Sequence, residues 1–535
     1  MRKRTLFNGL VASLLIILLV LASCATPTPE RIIETVIVKE QVTVMVEGTP
    51  QVKEIEKVVE VEKVVEVTPV PAGPVDITYT YRAGAIPKDL QEVENAINEI
   101  LIPKINVRLK LDPVEAGIYN ERMQLRMAAN EECDIVFTAP WTNNYYLNVI
   151  NGSLHPLDDL LPEYAPGLWA SIAPGTWEAA RVKGYIYAVI NQQIWPKPWG
   201  VHVIKDYADK YNLDLSTIRR FEDMEPFMQA VLDGEDGKVM PYCGRNLPFY
   251  LQYNGFTEMG SGDAAGISVK YNDPTVVNVF ASTEWQEIAK LNRRWYLAGY
   301  VYPEDVPDLQ EKITGNLCAY GTHVEKPTQA AELQARHGQE WIFKSLTDPL
   351  LLDTGGATAT LNGVCATSKN PEAAVKVLEM LNTNKEVYRL LSYGIEGKHW
   401  VWVDKDLDVV GLPEGKTDAE VGYSPNTDWM FGNQFNAPYR TVETARINAW
   451  EETRRLNSSA VPHILLGFTF DSKPVENEIA QVQAVAAELC TPVLTGLMDF
   501  DDNYQTCLDR TKAAGIDTII AEAQRQVDAF MAAKK

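Results

Sequence analysis

Six of the 12 tryptophans, Trp141, Trp195, Trp199, Trp400, Trp402 and Trp429, fall in stretches rich in Pro, Gly and Asn, where burial in a core is hard to arrange. A Trp ring offers a flat apolar face to C–H groups, while neighbouring Asn and Gln side chains donate and accept hydrogen bonds. That mixture suits a neutral polar ligand. Trp169, Trp177, Trp285, Trp295, Trp341 and Trp450 stand in helical or edge contexts and are assigned to structure. The local patterns of catalysis are missing. There is no Gly-x-Ser-x-Gly and no His-Glu-x-x-His, and the six histidines are scattered. "GLPEGKT" at 411–417 has one residue too few between Gly411 and Gly415 for a phosphate-binding loop. "DKDLDVVG" spaces Asp404, Asp406 and Asp408 like the start of a calcium loop. Val409 stands where that turn needs glycine, and Gly415 where a bidentate Glu belongs. The expectation is a solvated acidic turn, no metal and no cofactor.

The elements that would carry such a site are legible from residue 75 onward. In "VDITYTYR" (75–82) Ile77, Tyr79 and Tyr81 alternate with polar neighbours, as in a strand. Leu90, Val93, Ile97, Ile100 and Leu101 then recur at helical spacing. "INVRLKLDP" alternates again, a helical stretch runs from Tyr119 to Ala129, and "CDIVFTAP" reads as a buried strand. Strand, helix, strand, helix, strand implies parallel pairing through right-handed crossovers, hence an α/β lobe. Ligands of such sheets bind beyond the C-terminal strand ends, where Tyr81, Arg82, Trp141, Asn143 and Asn144 stand. At the far end, Ile516, Ile519, Ile520, Ala523, Val527, Phe530 and Met531 trace one apolar helix face.

Before residue 75 the chain is of another kind. Arg2, Lys3 and Arg4 precede a mostly apolar run from Leu10 to Leu21, the layout of a secretory signal peptide and shorter than the roughly 20 residues of a spanning helix. Leu21, Ala22, Ser23 and Cys24 resemble the lipobox of bacterial lipoproteins, which implies cleavage after residue 23 and a lipid on Cys24. Residues 25–74 hold six prolines and the hexapeptide "EKVVEV" twice, at 56–61 and 62–67. This is read as a flexible tether, although its Val spacing also suits a strand or a short helix. Two copies at a period of six are too few for a coiled-coil seam.

The formal charge of −23 argues against nucleic acid as a partner, and against contact with anionic lipid beyond the anchor. Six cysteines remain after Cys24, and they allow many pairings outside the cytoplasm. The single pair chosen is Cys490 with Cys507, which flank a short turn-rich segment between two helical stretches.

"DIVFTAPW", "GSLHPLDDLLPEY" and "TWEAARVKGYIYAV" resemble the first lobe of extracellular solute-binding proteins of bacterial ABC importers, the sugar-binding family in particular. "ITGNLCAYGTH" (313–323) resembles that family's second-lobe strand, and "LNGVCATSKNPEAAVKVLEMLNTN" (361–384) its return into the first lobe. "LLSYGIEGKHW", "LLGFTFDSKPVENEIAQVQAV" and "LDRTKAAGIDTIIAEAQRQVDAF" are similar to its longer, lipoprotein branch.

The resemblance implies a type II periplasmic-binding-protein fold of two α/β lobes about an interlobe cleft. Lobe I would be 75–190 plus 357–430, and lobe II 191–356 plus 431–535, after a signal peptide (1–23) and a lipid-anchored linker (24–74). It further implies a monomer, held by lipid on the outer face of the cell membrane, that passes a sugar or oligosaccharide to permease subunits without altering it. Trp141, Asn191, Gln193, His399 and Trp400 would face the cleft, with Tyr81, Arg82, Trp199 and Trp429 as a second tier. The alternatives are a surface-anchored carbohydrate-active enzyme, whose carboxylates could be distant in sequence, and the same fold used as a sensor or peptide receptor. Cys24→Ala should yield protein without an N-terminal lipid, and ligand binding by the purified globular part should be unchanged. Intact-mass measurement of the membrane fraction checks the first outcome, and a lipid still attached to the variant would refute the anchor.

Overall fold

The computed structural model describes residues 30–46, 49–65, 73–196, 198–243, 253–257, 259, 266–302, 312–313, 315–425 and 427–534. The signal peptide and the expected lipid site Cys24 lie outside them. The chain divides into two units, Met1–Pro74 and Val75–Lys535. In the first, β1 (Glu30–Val46) and β2 (Thr49–Val65) pair antiparallel from Glu30 opposite Val65 to Val46 opposite Thr49. Of the two conformations that the Val spacing left open, the strand is the one adopted. β-branched residues favour extended backbone, and both copies of the hexapeptide contribute to β2.

The second unit runs β3 (Val75–Ala83), α1 (Leu90–Ile105), β4 (Val107–Glu115), α2 (Ala116–Ala128) and β5 (Ile135–Thr138). β6 (Ala188–Ile190) leads to β7 (Trp199–Ile204), β8 (Met240–Tyr242), α3 (Thr283–Ala298), β9 (Cys318–Val324) and β10 (Trp341–Ser345). The chain returns through β11 (Leu361–Val364), α4 (Pro371–Thr383) and α5 (Lys385–Tyr393), and ends in α6 (Phe500–Ala513) and α7 (Ile516–Ala533).

β3 lies parallel between β4 and β5, as the alternating strand and helix patterns require. β11 then adds antiparallel to β5, and β6 antiparallel to β11, so the order is β4-β3-β5-β11-β6. The other main sheet has the order β8-β9-β7-β10. A smaller three-stranded sheet is formed by Phe256–Thr257, Ile267–Lys270 and Asp273–Asn278.

Burial follows the periodicities. Ile77, Tyr79 and Tyr81 of β3 are buried, as are Val93, Ile97 and Leu101 of α1, each gaining about 1.5–3 kcal/mol from leaving water. Ile516, Ile519, Ala523 and Val527 bury the face of α7, while Ile520, Phe530 and Met531 pack partly exposed beside them.

The buried apolar side chains form two clusters. One takes residues from Ile77 to Ile190 and from Leu352 to Trp450; the other takes residues from Val201 to Trp341 and from Leu465 to Val527. The first cluster therefore reaches past residue 430 to Phe431, Ala437 and Trp450, because Trp450 Nε1 donates to the Ala437 carbonyl (3.0 Å) and its ring stacks on Tyr439. Two disulfides are formed. Cys133–Cys365 ties the approach to β5 to the residue after β11, and Cys490–Cys507 joins α6 to the preceding helical segment. No helix among the described residues is long and apolar enough to cross a membrane.

Because β11 separates β5 from β6, a fragment of residues 75–190 would leave β6 without its neighbour and expose the edge of β5. Such a fragment should unfold without a cooperative transition in urea, monitored by circular dichroism. A sharp two-state transition would show that its strands do not depend on the returning segment.

Candidate functional site

Beyond Thr138 at the end of β5 the chain makes a tight turn. Ala139 N donates to Thr142 O (3.0 Å), Asn143 takes a left-handed φ of 42°, and Asn143 Nδ2 donates to Phe137 O (2.9 Å). Asn144 Oδ1 accepts from Leu147 N (3.1 Å) and starts the helix Tyr145–Ile150. The turn thrusts Trp141 outward. Its Nε1 donates to Ala359 O (2.7 Å), yet 52% of the residue stays exposed.

Trp429 meets it there, with ring centroids 6.1 Å apart, and Phe137 touches both, at 5.9 and 6.0 Å. The Arg82 guanidinium, at the end of β3, lies 5.7 Å from the Trp141 ring centroid. Arg82, Trp141 and Trp429, expected from sequence at three separate places, thus form one corner beyond the C-terminal ends of β3 and β5. Phe137, which floors it, was not anticipated; its place as the inward-facing aromatic of "DIVFTAPW" was the available signal.

The mounting of Trp429 is rigid. On one side, the Met430 carbonyl accepts from Asn191 Nδ2 (2.9 Å) and Asn362 Nδ2 (3.0 Å). On the other, the buried Asp428 carboxylate accepts from Gln434 Nε2 (3.0 Å) and the Tyr393 hydroxyl (3.3 Å), with Arg440 at 3.9 Å. Burial works against its ionised form, but the nearby cations Arg440 and Lys326 prevail and hold the Asp428 pKa below its ordinary value.

The other expected ligand contacts are not gathered at the corner. Asn191 is 1% exposed, and its Oδ1 accepts from Asn362 Nδ2 (2.7 Å) and Gly432 N (3.1 Å), so both ends of the amide serve the fold. Gln193 is buried and donates to Thr360 Oγ1 (2.6 Å). His399 is buried between Asp89, 3.1 Å from Nε2, and Ile395 N, which donates to Nδ1 (2.8 Å). Trp400 is buried, with Nε1 donating to Gly394 O (3.0 Å). Tyr81 is buried against Phe431, and burial pushes its phenol well above the usual range. Trp199 is buried in β7 rather than held in a loop.

In the acidic turn, Asp404 Oδ1 accepts from Asp406 N and Leu407 N (3.0 and 3.1 Å), and Asp408 pairs with Arg389 and Lys385 (2.6 and 2.7 Å). These carboxylates already have partners. A concavity of about 630 Å³ elsewhere is lined by Arg181, Phe468, Phe530 and their neighbours. It is predominantly apolar, and Arg181 there is held by Asp158 (2.5 Å) and Glu178 (2.9 Å). The aromatic corner, where apolar rings and an open cation meet, is the better candidate.

Two apolar cores, each with its own mixed sheet and joined by several chain crossings, are the architecture of type II solute-binding proteins. Comparison with known proteins agrees. The chain is 25% identical over 486 residues to a carbohydrate ABC transporter substrate-binding protein of Streptococcus pneumoniae serotype 4 (strain ATCC BAA-334 / TIGR4), covering 87% of this chain and 93% of that one. It superposes on the N-glycan transport solute-binding protein NgtS of Streptococcus pneumoniae with a TM-score of 0.76 at 22% identity, covering 86% of this chain and 100% of that one. NgtS has also been solved in complex with Man1GlcNAc and with Man5GlcNAc. An extracellular solute-binding protein of Bifidobacterium longum subsp. infantis matches with a TM-score of 0.60 at 13% identity, over 87% of this chain and 100% of that one. Residues 464–532 match a family described as a domain of unknown function, DUF3502. The resemblance read from the sequence therefore holds for the fold and for the curated relative.

Asn362→Leu should destabilise the protein by about 1–3 kcal/mol, because it removes the shorter of the Tyr79 hydroxyl's two hydrogen bonds (2.7 Å, leaving Met430 O at 3.3 Å) and one of the two donors to Asn191 Oδ1 inside the core. Urea unfolding of the two proteins checks this, and equal midpoints would show that the junction is dispensable.

Proposed function

We propose that this chain is a solute-binding protein that captures an oligosaccharide outside the cytoplasm and delivers it unaltered to an ABC permease. The aromatic corner of Phe137, Trp141 and Trp429 supports this reading most directly, since indole faces stack on sugar C–H groups. The curated relative is named for carbohydrate transport, and NgtS has been solved in complex with Man1GlcNAc and Man5GlcNAc, so the ligand class proposed here is an oligosaccharide.

A lipid on Cys24 anchors the protein to the outer face of the cell membrane, and residues 24–74 act as the spacer. The two cores act as the two lobes, the first built on 75–190 and the returning segment as far as Trp450, the second on 201–341 and the segment from Leu465 onward. They close over the ligand, which shifts the equilibrium through contacts it makes only in the closed state. The protein works as a monomer.

Calorimetry against a panel of neutral and acidic oligosaccharides should show saturable one-to-one binding, with each sugar recovered unchanged. Trp141→Ala and Trp429→Ala should each weaken the best ligand by about 1–3 kcal/mol, roughly 5- to 150-fold, mainly through faster release. Trp141→Ala should leave the unfolding temperature of the free protein nearly unchanged, since half of that side chain is open to solvent. Hydrolysis of a bound sugar, or unaltered affinity in both variants, would refute the reading.

A further inference from the structure

Arginine side chains that are half withdrawn from water are paired almost everywhere in this protein. Arg126 lies 3.2 Å from Asp112, Arg181 2.5 Å from Asp158, Arg293 3.6 Å from Asp499, Arg440 3.9 Å from Asp428 and Arg510 2.6 Å from Glu488, while Arg389 is held by Asp408. Arg82 is half-buried too, at the end of β3. Among the described residues no carboxylate lies within ion-pair distance of it, and its recorded neighbour is the face of Trp141. A guanidinium stripped of part of its water without an anion is left short of partners, and its rigid fork of N–H donors matches the two oxygens of a carboxylate. The partner is missing where the fold leaves the Trp141 ring half open to solvent.

We infer that the aromatic corner selects an acidic oligosaccharide, one carrying a uronic or sialic acid whose carboxylate pairs with Arg82 while the adjoining ring stacks on Trp141. This deepens the reading of the chain as a sugar receptor and rests on it. It also departs from the neutral ligand that the tryptophan and amide composition alone suggests, because composition does not reveal which arginine goes unpaired.

Matched sugars test it by calorimetry with the intact globular part: sialyllactose against lactose, and trigalacturonate against its carboxyl-reduced form. In at least one pair the acid should bind 10-fold or more tightly than its neutral counterpart, and rising salt should shrink that ratio. Arg82→Gln should abolish the ratio, and Arg82→Lys, which keeps the charge but not the fork, should restore only part of it. Saturable binding with no preference for the acid would overturn this inference and leave the receptor reading standing. So would a sulfated or phosphorylated sugar that outcompetes both carboxylates. Failure of every saccharide to bind would overturn both.

Discussion

The arrangement depends on a knot of buried amides where three distant segments of the chain meet. Asn362 in β11 donates to Asn191, which follows β6, and to the Met430 carbonyl; Asn191 in turn donates to that carbonyl and accepts from Gly432 N. The Tyr79 hydroxyl of β3 closes the group on Asn362 Oδ1. None of these polar atoms has water to fall back on, so each must find a partner or cost the fold a desolvation penalty. Together they fix where the chain leaves β6, where it returns as β11 and where the 428–432 segment that carries Trp429 lies. Gly432 is held at φ 95°, and a Cβ there would meet the Leu381 carbonyl at 3.0 Å. The positive φ and the tight approach to Leu381 and Asn382 both favour glycine at this position.

This constraint explains why the aromatic corner is built where it is. Trp429 stands between two residues that cannot move: Met430, whose carbonyl belongs to the amide knot, and Asp428, whose carboxylate is enclosed by Gln434, Tyr393 and Arg440. Its partner Trp141 is pinned by the Ala359 carbonyl and by a turn whose own amides are internally bonded. Two rings held this way would lose little freedom in the proposed sugar complex, so more of the stacking energy would remain as affinity. The buried charges contribute position more than stability, because removing Asp428 and Arg440 from water costs about as much as their attraction returns.

The sequence was most informative where periodicity and burial coincide. The alternation of Ile77, Tyr79 and Tyr81, the helical spacing of Val93, Ile97 and Leu101, and the apolar stripe of α7 all reappear as buried faces. It was least informative about amides and indoles. Asn191 looks the same in sequence whether it waits for a sugar or satisfies a carbonyl, and only the distant Asn362 and Met430 decide between the two. Trp199 sits among Pro196, Pro198 and Gly200, a loop-like composition, yet Gly200 is there because β10 passes so close that a Cβ would strike the Lys344 carbonyl. Trp400 misleads in the same way. The glycines of "GIEGKHW" shape a turn that buries the indole against Gly394 O instead of presenting it. Phe137 was hidden by its regularity, one more apolar residue in a buried strand until the two tryptophans are seen to rest on it.

The acidity of the whole chain and the single unpaired cation of the corner act over different distances. A formal charge of −23 spread over the surface repels an anion from afar, but at physiological ionic strength that field fades within about 8 Å. In the corner the charge that lies against the Trp141 ring is Arg82, and that ring shields one side of the guanidinium from water. Distant repulsion lowers the encounter rate modestly and for every anion alike, whereas in the proposed complex the local guanidinium acts only on a ligand whose carboxylate arrives with its ring already placed on Trp141. An acidic surface around a cationic, aromatic corner therefore discriminates by fit rather than by long-range attraction.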